Sequence, residues 1–270
     1  LILVFTDLDG TLLDFETYSF KGAEESIRIL KRRKIPIIIV TSKTRYEVKS
    51  VREKLGIKDP FIVENGGGVY FDKNYWKNFE VPDCKPMNGL CVVKFGKDYK
   101  EVRKFFSKLK EMFPVVGFGD MSVEEIMELT GLNREDARNA KNREFSEPFI
   151  VPRSLISEVR EEAIRNGFNV VEGGRFFHLV SATQGKGKAV KFVESVFSKF
   201  LGGKTISIGL GDSPNDEDML RSVDIPIQIP HPGKNFKRLK VENLRIAEFP
   251  GSRGWNQSIK EVLSEIKGDC

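Results

Sequence analysis

Five short apolar runs rich in β-branched residues, at 1–6, 35–41, 61–64, 205–209 and 225–229, are mostly separated by stretches whose apolar positions recur at helical spacing. Within 22–33, Ala23, Ile27 and Leu30 share one face, and within 45–55 Val48, Val51 and Leu55 do likewise. Continuous apolar strands are covered on both sides. Strand–helix–strand repetition also implies right-handed crossovers, so the pattern predicts an α/β fold with a Rossmann-like parallel sheet flanked by helices. Between about 75 and 181 the rhythm changes to a strand at 90–95, helices at 99–113, 122–130 and 134–141, a strand at 149–151 and a helix at 155–166. Strands at 168–172 and 175–181 follow, joined by Gly173 and Gly174 as a two-residue hairpin turn. The reading is an α+β domain, 81–180, inserted into a core made of 1–80 and 181–270, with linkers at 81–86 and 181–185.

The chemistry collects at strand ends, where ligands bind in open parallel sheets. The first run ends in Asp7-Leu8-Asp9-Gly10-Thr11. Two carboxylates one residue apart repel, and call for a cation, a shared proton or a hydrogen-bonded division of labour. The second run ends in Thr41 and Ser42, hydroxyls suited either to a phosphoryl oxygen or to capping a helix that starts near Thr44. Gln184-Gly185-Lys186-Gly187-Lys188-Ala189 opens an amphipathic helix with a lysine where the helix dipole disfavours one, which fits an anion nearby. Finally, Gly211-Asp212-Ser213-Pro214-Asn215-Asp216 follows a buried strand. Asp216 can serve a helix start, whereas Asp212 is best explained by an oxygen-loving cation such as Mg²⁺.

Composition narrows the setting. With 270 residues, 40 % hydrophobic and 31 % charged, the chain can bury a sizeable core. The longest apolar run, 35–40, is far too short for a membrane span, and no segment reads as a signal peptide. Cys84, Cys91 and Cys270 form an odd set without metal-ligand spacing, which argues for a reducing compartment, against a disulfide framework and for the cytoplasm. A net charge of +5 is mild, and Lys31-Arg32-Arg33-Lys34 reads as a helix end and not a nucleic-acid patch. Abundant Lys and Glu with few Gln lean toward a thermophilic source.

The four strand ends, in this order, resemble the four motifs of the haloacid dehalogenase-like phosphatases, and the insertion resembles that family's C2-type cap. The resemblance implies that Asp7 is the nucleophile, Asp9 the general acid and base, and that Thr41 and Lys186 hold the phosphoryl oxygens, with Lys188 as the register alternative to Lys186. It also implies Mg²⁺ held by Asp7, Asp9 through its main chain, Asp212 and Asp216. Val40-Thr41-Ser42-Lys43-Thr44-Arg45, Glu64 to Gly68, Arg143 to Phe149 and Gly173 to His178 are similar to mannosyl-3-phosphoglycerate phosphatases. That likeness implies a small phosphorylated sugar-acid substrate and no nucleic-acid or membrane partner. Arg138, Arg143 or Arg175 are candidates for a carboxylate clamp, and Ser42, Asn65, Ser146, Glu172 and His178 for polar contacts. Each arginine has an ordinary alternative as a surface ion-pair partner, and His178 as a satisfied strand residue. Phosphomannomutases, sucrose- or trehalose-phosphate phosphatases and, from another class, phospho-accepting signalling receivers are the competing readings.

Overall fold

The computed structural model describes residues 1–73, 75, 81–231 and 237–268, with the side chains of 267 and 268 excluded. Cys270 and Pro232 lie outside the described residues. Thirteen strands occur among these: β1 (Ile2–Thr6), β2 (Ile37–Val40), β3 (Phe61–Val63), β4 (Gly68–Asp72), β5 (Lys85–Met87), β6 (Leu90–Lys94), β7 (Val116–Gly117), β8 (Ser146–Ile150), β9 (Phe168–Glu172), β10 (Phe177–Ser181), β11 (Ile206–Gly211), β12 (Ile225–Gln228) and β13 (Arg245–Ile246). The helices are α1 (Glu24–Arg32), α2 (Arg45–Leu55), α3 (Tyr99–Met112), α4 (Val123–Thr130), α5 (Arg134–Lys141), α6 (Ile156–Arg165), α7 (Lys186–Leu201), α8 (Glu217–Leu220) and α9 (Gly251–Gly268).

Nine strands form one sheet in the order β13-β12-β11-β1-β2-β3-β4-β6-β5. The pairs from β13 to β3 are parallel, and β4, β6 and β5 extend the sheet antiparallel. Chain order departs in opposite directions from β1, toward β2 on one side and β11 on the other, so the C-terminal ends of these strands frame the switch point where ligands bind. Alternation along β1 shows both faces covered: Val4 packs with Ile27, Leu30, Trp255 and Ile259, while Leu3 and Phe5 pack with Val190, Val193 and Val196 of α7. At roughly 1.5–3 kcal/mol per fully buried large apolar side chain, these two layers supply most of the driving force for the core.

A second, antiparallel sheet, β7-β8-β10-β9, carries α3 and α6. Phe105, Phe106 and Leu109 of α3 bury against Phe149, Phe168, Phe177 and Leu179, as expected of the insert's own core. A smaller cluster joins α4 and α5 through Ile126, Ala137 and Ala140 with Phe118 and Met121.

Several expectations need correction. Residues 85–87 and 90–94, placed by pattern within the insert or its linker, hydrogen-bond to β4 and each other in the large sheet. The short, mixed run Lys85-Pro86-Met87 carries no strand periodicity, which is why it reads as linker. The strand expected at 149–151 begins at Ser146, its polar Ser146 and Glu147 being buried by specific partners that a pattern of hydrophobicity does not register. The β9–β10 hairpin closes at Glu172↔Phe177, leaving a four-residue loop, 173–176, instead of two, with Gly173 N–H donating to the Phe176 carbonyl. Cys84 and Cys91 are joined in a disulfide, against the expectation of free thiols: the β5–β6 hairpin brings their Cα atoms to 5.5 Å.

Candidate active site

Asp7 leaves β1 with its N–H still bonded to the Leu210 carbonyl of the neighbouring strand, at 2.9 Å. The buried Thr6 hydroxyl donates to the Asp7 carbonyl (2.7 Å) and accepts from the Trp255 indole (3.0 Å), so α9 fixes the strand end from below. Gly10 then turns the chain at φ +76°, where a Cβ would stand 2.7 Å from Asp212 Oδ2. Only glycine meets both conditions without strain.

Lys186 opens α7 and is 2 % exposed. Its ammonium lies 2.9 Å from Asp7 Oδ1 and 2.6 Å from Asp216 Oδ1. Lys188, the alternative register, is exposed and donates to the Thr183 carbonyl instead. Asp216 is fully buried, and its other oxygen accepts the main-chain N–H groups of Asp212 (3.0 Å) and Ser213 (3.1 Å). It therefore shapes the Asp212 turn as well as holding Lys186. Thr11 donates to Asp212 Oδ1 at 3.3 Å.

Among the described residues, Asp7, Asp212 and Asp216 each bring one carboxylate oxygen within 4.8 Å of the others. Burial pushes the Asp7 carboxyl up to about 7, with Lys186 opposing and Asp216 and Asp9 adding to the rise. Asp212 is likewise raised well above the carboxylate range by burial and then by Asp216 and Asp7. Burial would lower the Lys186 ammonium, but Asp216 and Asp7 outweigh it and hold its pKa above the ordinary lysine value. Three crowded carboxylates facing one ammonium leave negative charge uncompensated, and hard oxygen donors of this kind suit a small divalent cation. The cluster fits a metal ion.

Thr41 directly follows β2, is 2 % exposed and accepts the Lys43 N–H on its hydroxyl at 3.2 Å. The helix-cap alternative falls to Thr44, which makes a complete capping box with Glu47 at the start of α2. Thr41 is thereby free of the capping task.

A cavity between the two sheets is lined by Asp7, Asp9, Thr41, Ser42, Arg143, Arg175, His178 and Asp212, together with Phe15, Tyr18, Lys43, Ser213 and Asn215. Asn65 is buried beside it, accepting from Asn215 at 3.0 Å, while its Nδ2 has no hydrogen-bond partner among the described residues. Arg143 is buried, unlike the solvated ion-pair partner it resembles in sequence. One of its nitrogens, Nη2, donates to the Ser42 carbonyl (2.8 Å) and to Ser146 Oγ (2.7 Å), and Glu64 lies 3.4 Å from Nε. Ser146 is hidden behind Arg143 and does not line the cavity. Arg175 donates to the Thr130 carbonyl at 2.8 Å and stands over the Phe15 ring. His178 is buried, and burial followed by the charges of Arg143 and Lys186 brings it down to about 3, so the imidazole is neutral.

Two candidates lie elsewhere. Arg138 is exposed on α5, and Glu172 pairs with Arg153 (2.9 Å) and Arg160 (3.6 Å); neither lines the cavity. His231 packs edge-on against Phe15 with centroids 4.2 Å apart. Sequence reasoning included Lys43, Glu64 and Asn215 in its motifs but assigned them no role at the site. Lys43 immediately follows the hydroxyl pair, and that position was the available signal.

The sequence profile of haloacid dehalogenase-like hydrolases matches residues 4–230. The chain belongs to this family. A glucosyl-3-phosphoglycerate/mannosyl-3-phosphoglycerate phosphatase from Persephonella marina is 48 % identical, covering all of both chains. A mannosyl-3-phosphoglycerate phosphatase from Pyrococcus furiosus is 35 % identical over 98 % of this chain and 99 % of its own length. A solved structure from Thermoplasma acidophilum, 21 % identical, superposes with a TM-score of 0.68 over 96 % of each chain, a likeness of fold.

Proposed function

We propose that this protein is a Mg²⁺-dependent phosphomonoesterase that removes phosphate from mannosyl- or glucosyl-3-phosphoglycerate through a phosphorylated Asp7. The observation that carries the reaction class is the buried Lys186 bridge, 2.9 and 2.6 Å long, between Asp7, which lines the cavity, and Asp216. The substrate class rests on the full-length relatives, which are named as phosphatases of these phosphoglycerate conjugates.

Asp7 attacks phosphorus, and the bridging oxygen leaves with its electron pair and takes a proton from Asp9. Water then gives a proton to Asp9 and attacks phosphorus, expelling the Asp7 carboxylate and releasing inorganic phosphate. Thr41 and Lys186 hold the non-bridging oxygens while charge redistributes. Asp7, Asp212 and the Asp9 main-chain carbonyl would hold Mg²⁺, with Asp216 in support because both of its oxygens already accept hydrogen bonds. When bound, the ion neutralises phosphoryl charge. Arg143, Arg175, His178, Ser42 and Asn65 face or flank the space left for the sugar and glycerate, and Ser146 keeps Arg143 in place.

We take the cap as residues 96–183, since β5 and β6 pair with the core sheet. Gln184, at the exit, is buried and donates to the Glu64 carbonyl at 2.8 Å, tying this crossing to the core. Among the described residues no helix is long and apolar enough to cross a membrane. We place the protein in the cytoplasm; a disulfide is compatible with that in a thermophile, where intracellular disulfides occur. The test is a phosphate-release screen across mannosyl- and glucosyl-3-phosphoglycerate, mannose 1-phosphate, mannose 6-phosphate and sucrose and trehalose phosphates. Preferred release from the glycosylated phosphoglycerates is expected, and isomerisation of mannose 1-phosphate without phosphate release would contradict it.

A further inference from the structure

Lys43 has no task in the mechanism above, yet it is held firmly in the cavity. Its side chain is 16 % exposed, with the ammonium 2.9 Å from Asp9 Oδ2 and 3.6 Å from Glu47 Oε1. The Tyr18 ring lies 5.5 Å away. The Lys43 main chain is fixed on both sides: its N–H donates to Thr41 Oγ1 at 3.2 Å and its carbonyl accepts the Glu64 N–H at 3.0 Å. Glu47 is fixed as well, because its other oxygen accepts the Thr44 N–H at 2.9 Å in the capping box. A long, flexible stem is thus confined to one place next to the carboxylate that meets the leaving oxygen.

Distance then decides what this ammonium can touch. In a phosphoglycerate, two carbons separate the bridging oxygen from the carboxylate carbon, about 3–4 Å with C–C links of about 1.5 Å. Asp9 lines the cavity with 39 % of its side chain exposed while its Oδ1 is buried, so the face it offers to that bridging oxygen is the one carrying Oδ2 and Lys43. A substrate seated there brings its carboxylate into contact range of an ammonium that already touches Asp9. Arg143 is less available, since Nη2 is committed to Ser42 and Ser146 and its charge is balanced by Glu64.

We propose that Lys43 reads the carboxylate adjacent to the phosphate ester, with Glu47 as its positioning residue, and so selects phosphoglycerate-type over phosphoglycerol-type substrates. The inference rests on the glycosylated phosphoglycerate reading. Its test compares mannosyl-3-phosphoglycerate with the same conjugate reduced at the carboxylate to the alcohol, in the intact protein with Mg²⁺, as kcat/KM for phosphate release. The natural sequence should favour the acid. Lys43→Met should lose about 100-fold more on the acid than on the alcohol, as loss of one partner of a desolvated charge pair predicts, any loss common to both esters reporting its contact with Asp9. Lys43→Arg, which keeps the charge, should retain most of the preference. Parallel losses on both esters would overturn the proposal, because they would mean that Lys43 serves only Asp9 or the fold. A preference that survives Lys43→Met would overturn it while leaving the substrate reading intact. Absence of any preference in the unsubstituted protein would sink both.

Discussion

Glu64, from the loop after β3, and Arg143, from the segment after α5, lie 3.4 Å apart with both side chains almost wholly hidden from solvent. The carboxylate also accepts the N–H groups of Glu144 (2.8 Å) and Phe145 (2.9 Å) and the Ser146 hydroxyl (2.9 Å). One core residue thus pins the segment that carries a cavity-lining arginine. Phe145 completes the joint by packing so closely on Gly67 that a Cβ there would stand 2.4 Å from its own. Glu64→Ala leaves a buried guanidinium and three donors without their acceptor, and should destabilise the protein by about 3–5 kcal/mol in reversible denaturant unfolding. A change below about 1 kcal/mol would show that the pair is dispensable.

Asp7→Asn should abolish phosphate release, because an amide is not a nucleophile toward phosphorus. The substitution also removes a carboxylate that burial, with Asp216 and Asp9 adding to it against Lys186, pushes up to about 7, so the cost of a buried charge and the repulsion in the cluster both fall. Without divalent metal, the variant should therefore unfold at the same temperature as the parent or a higher one. Scanning calorimetry in chelator together with a phosphate assay checks both halves.

Mg²⁺ should raise the thermal midpoint, since an ion that binds only the folded cluster stabilises it by about 2.7 kcal/mol at a hundred times its dissociation constant. Asp212→Asn should weaken that shift without greatly altering the midpoint in chelator. Equal shifts in parent and variant would place the ion elsewhere.

Burial and the neighbouring Arg143 and Lys186 charges hold His178 at about 3, against 6.5 for a free histidine. Between those values the unfolded chain binds a proton that the folded one refuses, so stability falls as pH falls through this window. The slope from one such group reaches about 1.4 kcal/mol per pH unit. His178→Gln should remove that contribution, giving a shallower decline in unfolding free energy from pH 6.5 to 4.5. Parallel profiles would mean that the imidazole titrates normally in the folded protein.

The strand ends that build the site were legible because buried strands announce themselves and then stop at residues with no structural use for a carboxylate, as at Asp7 and Asp212. α2, α4 and α5 matched their helical periodicity for a similar reason, since a capping threonine, serine or asparagine opens each. What escaped depends on long-range partners. Ser146 and Glu147 are polar yet sit in a buried strand, because Glu64, Arg143 and Tyr99 satisfy them from distant parts of the chain. Cys84 and Cys91 meet only once β5 and β6 pair, and seven residues of separation alone say nothing of that. Arg138 and Arg143 look equally eligible in sequence; α5 exposes the first and its exit buries the second.

The central claim is that the phosphoryl group passes through Asp7, and covalent mapping tests it most directly. Protein carrying Asp9→Asn, which slows attack by water, would be mixed with substrate labelled in its phosphate, quenched in acid and digested at low pH, with borohydride, which converts an acyl phosphate to an alcohol and expels its labelled phosphate, applied to a separate portion. The account predicts a labelled, reducible acyl phosphate confined to the peptide that contains Asp7 and lost in the additional presence of Asp7→Asn. Label on another residue, or undiminished label after Asp7→Asn, would contradict it.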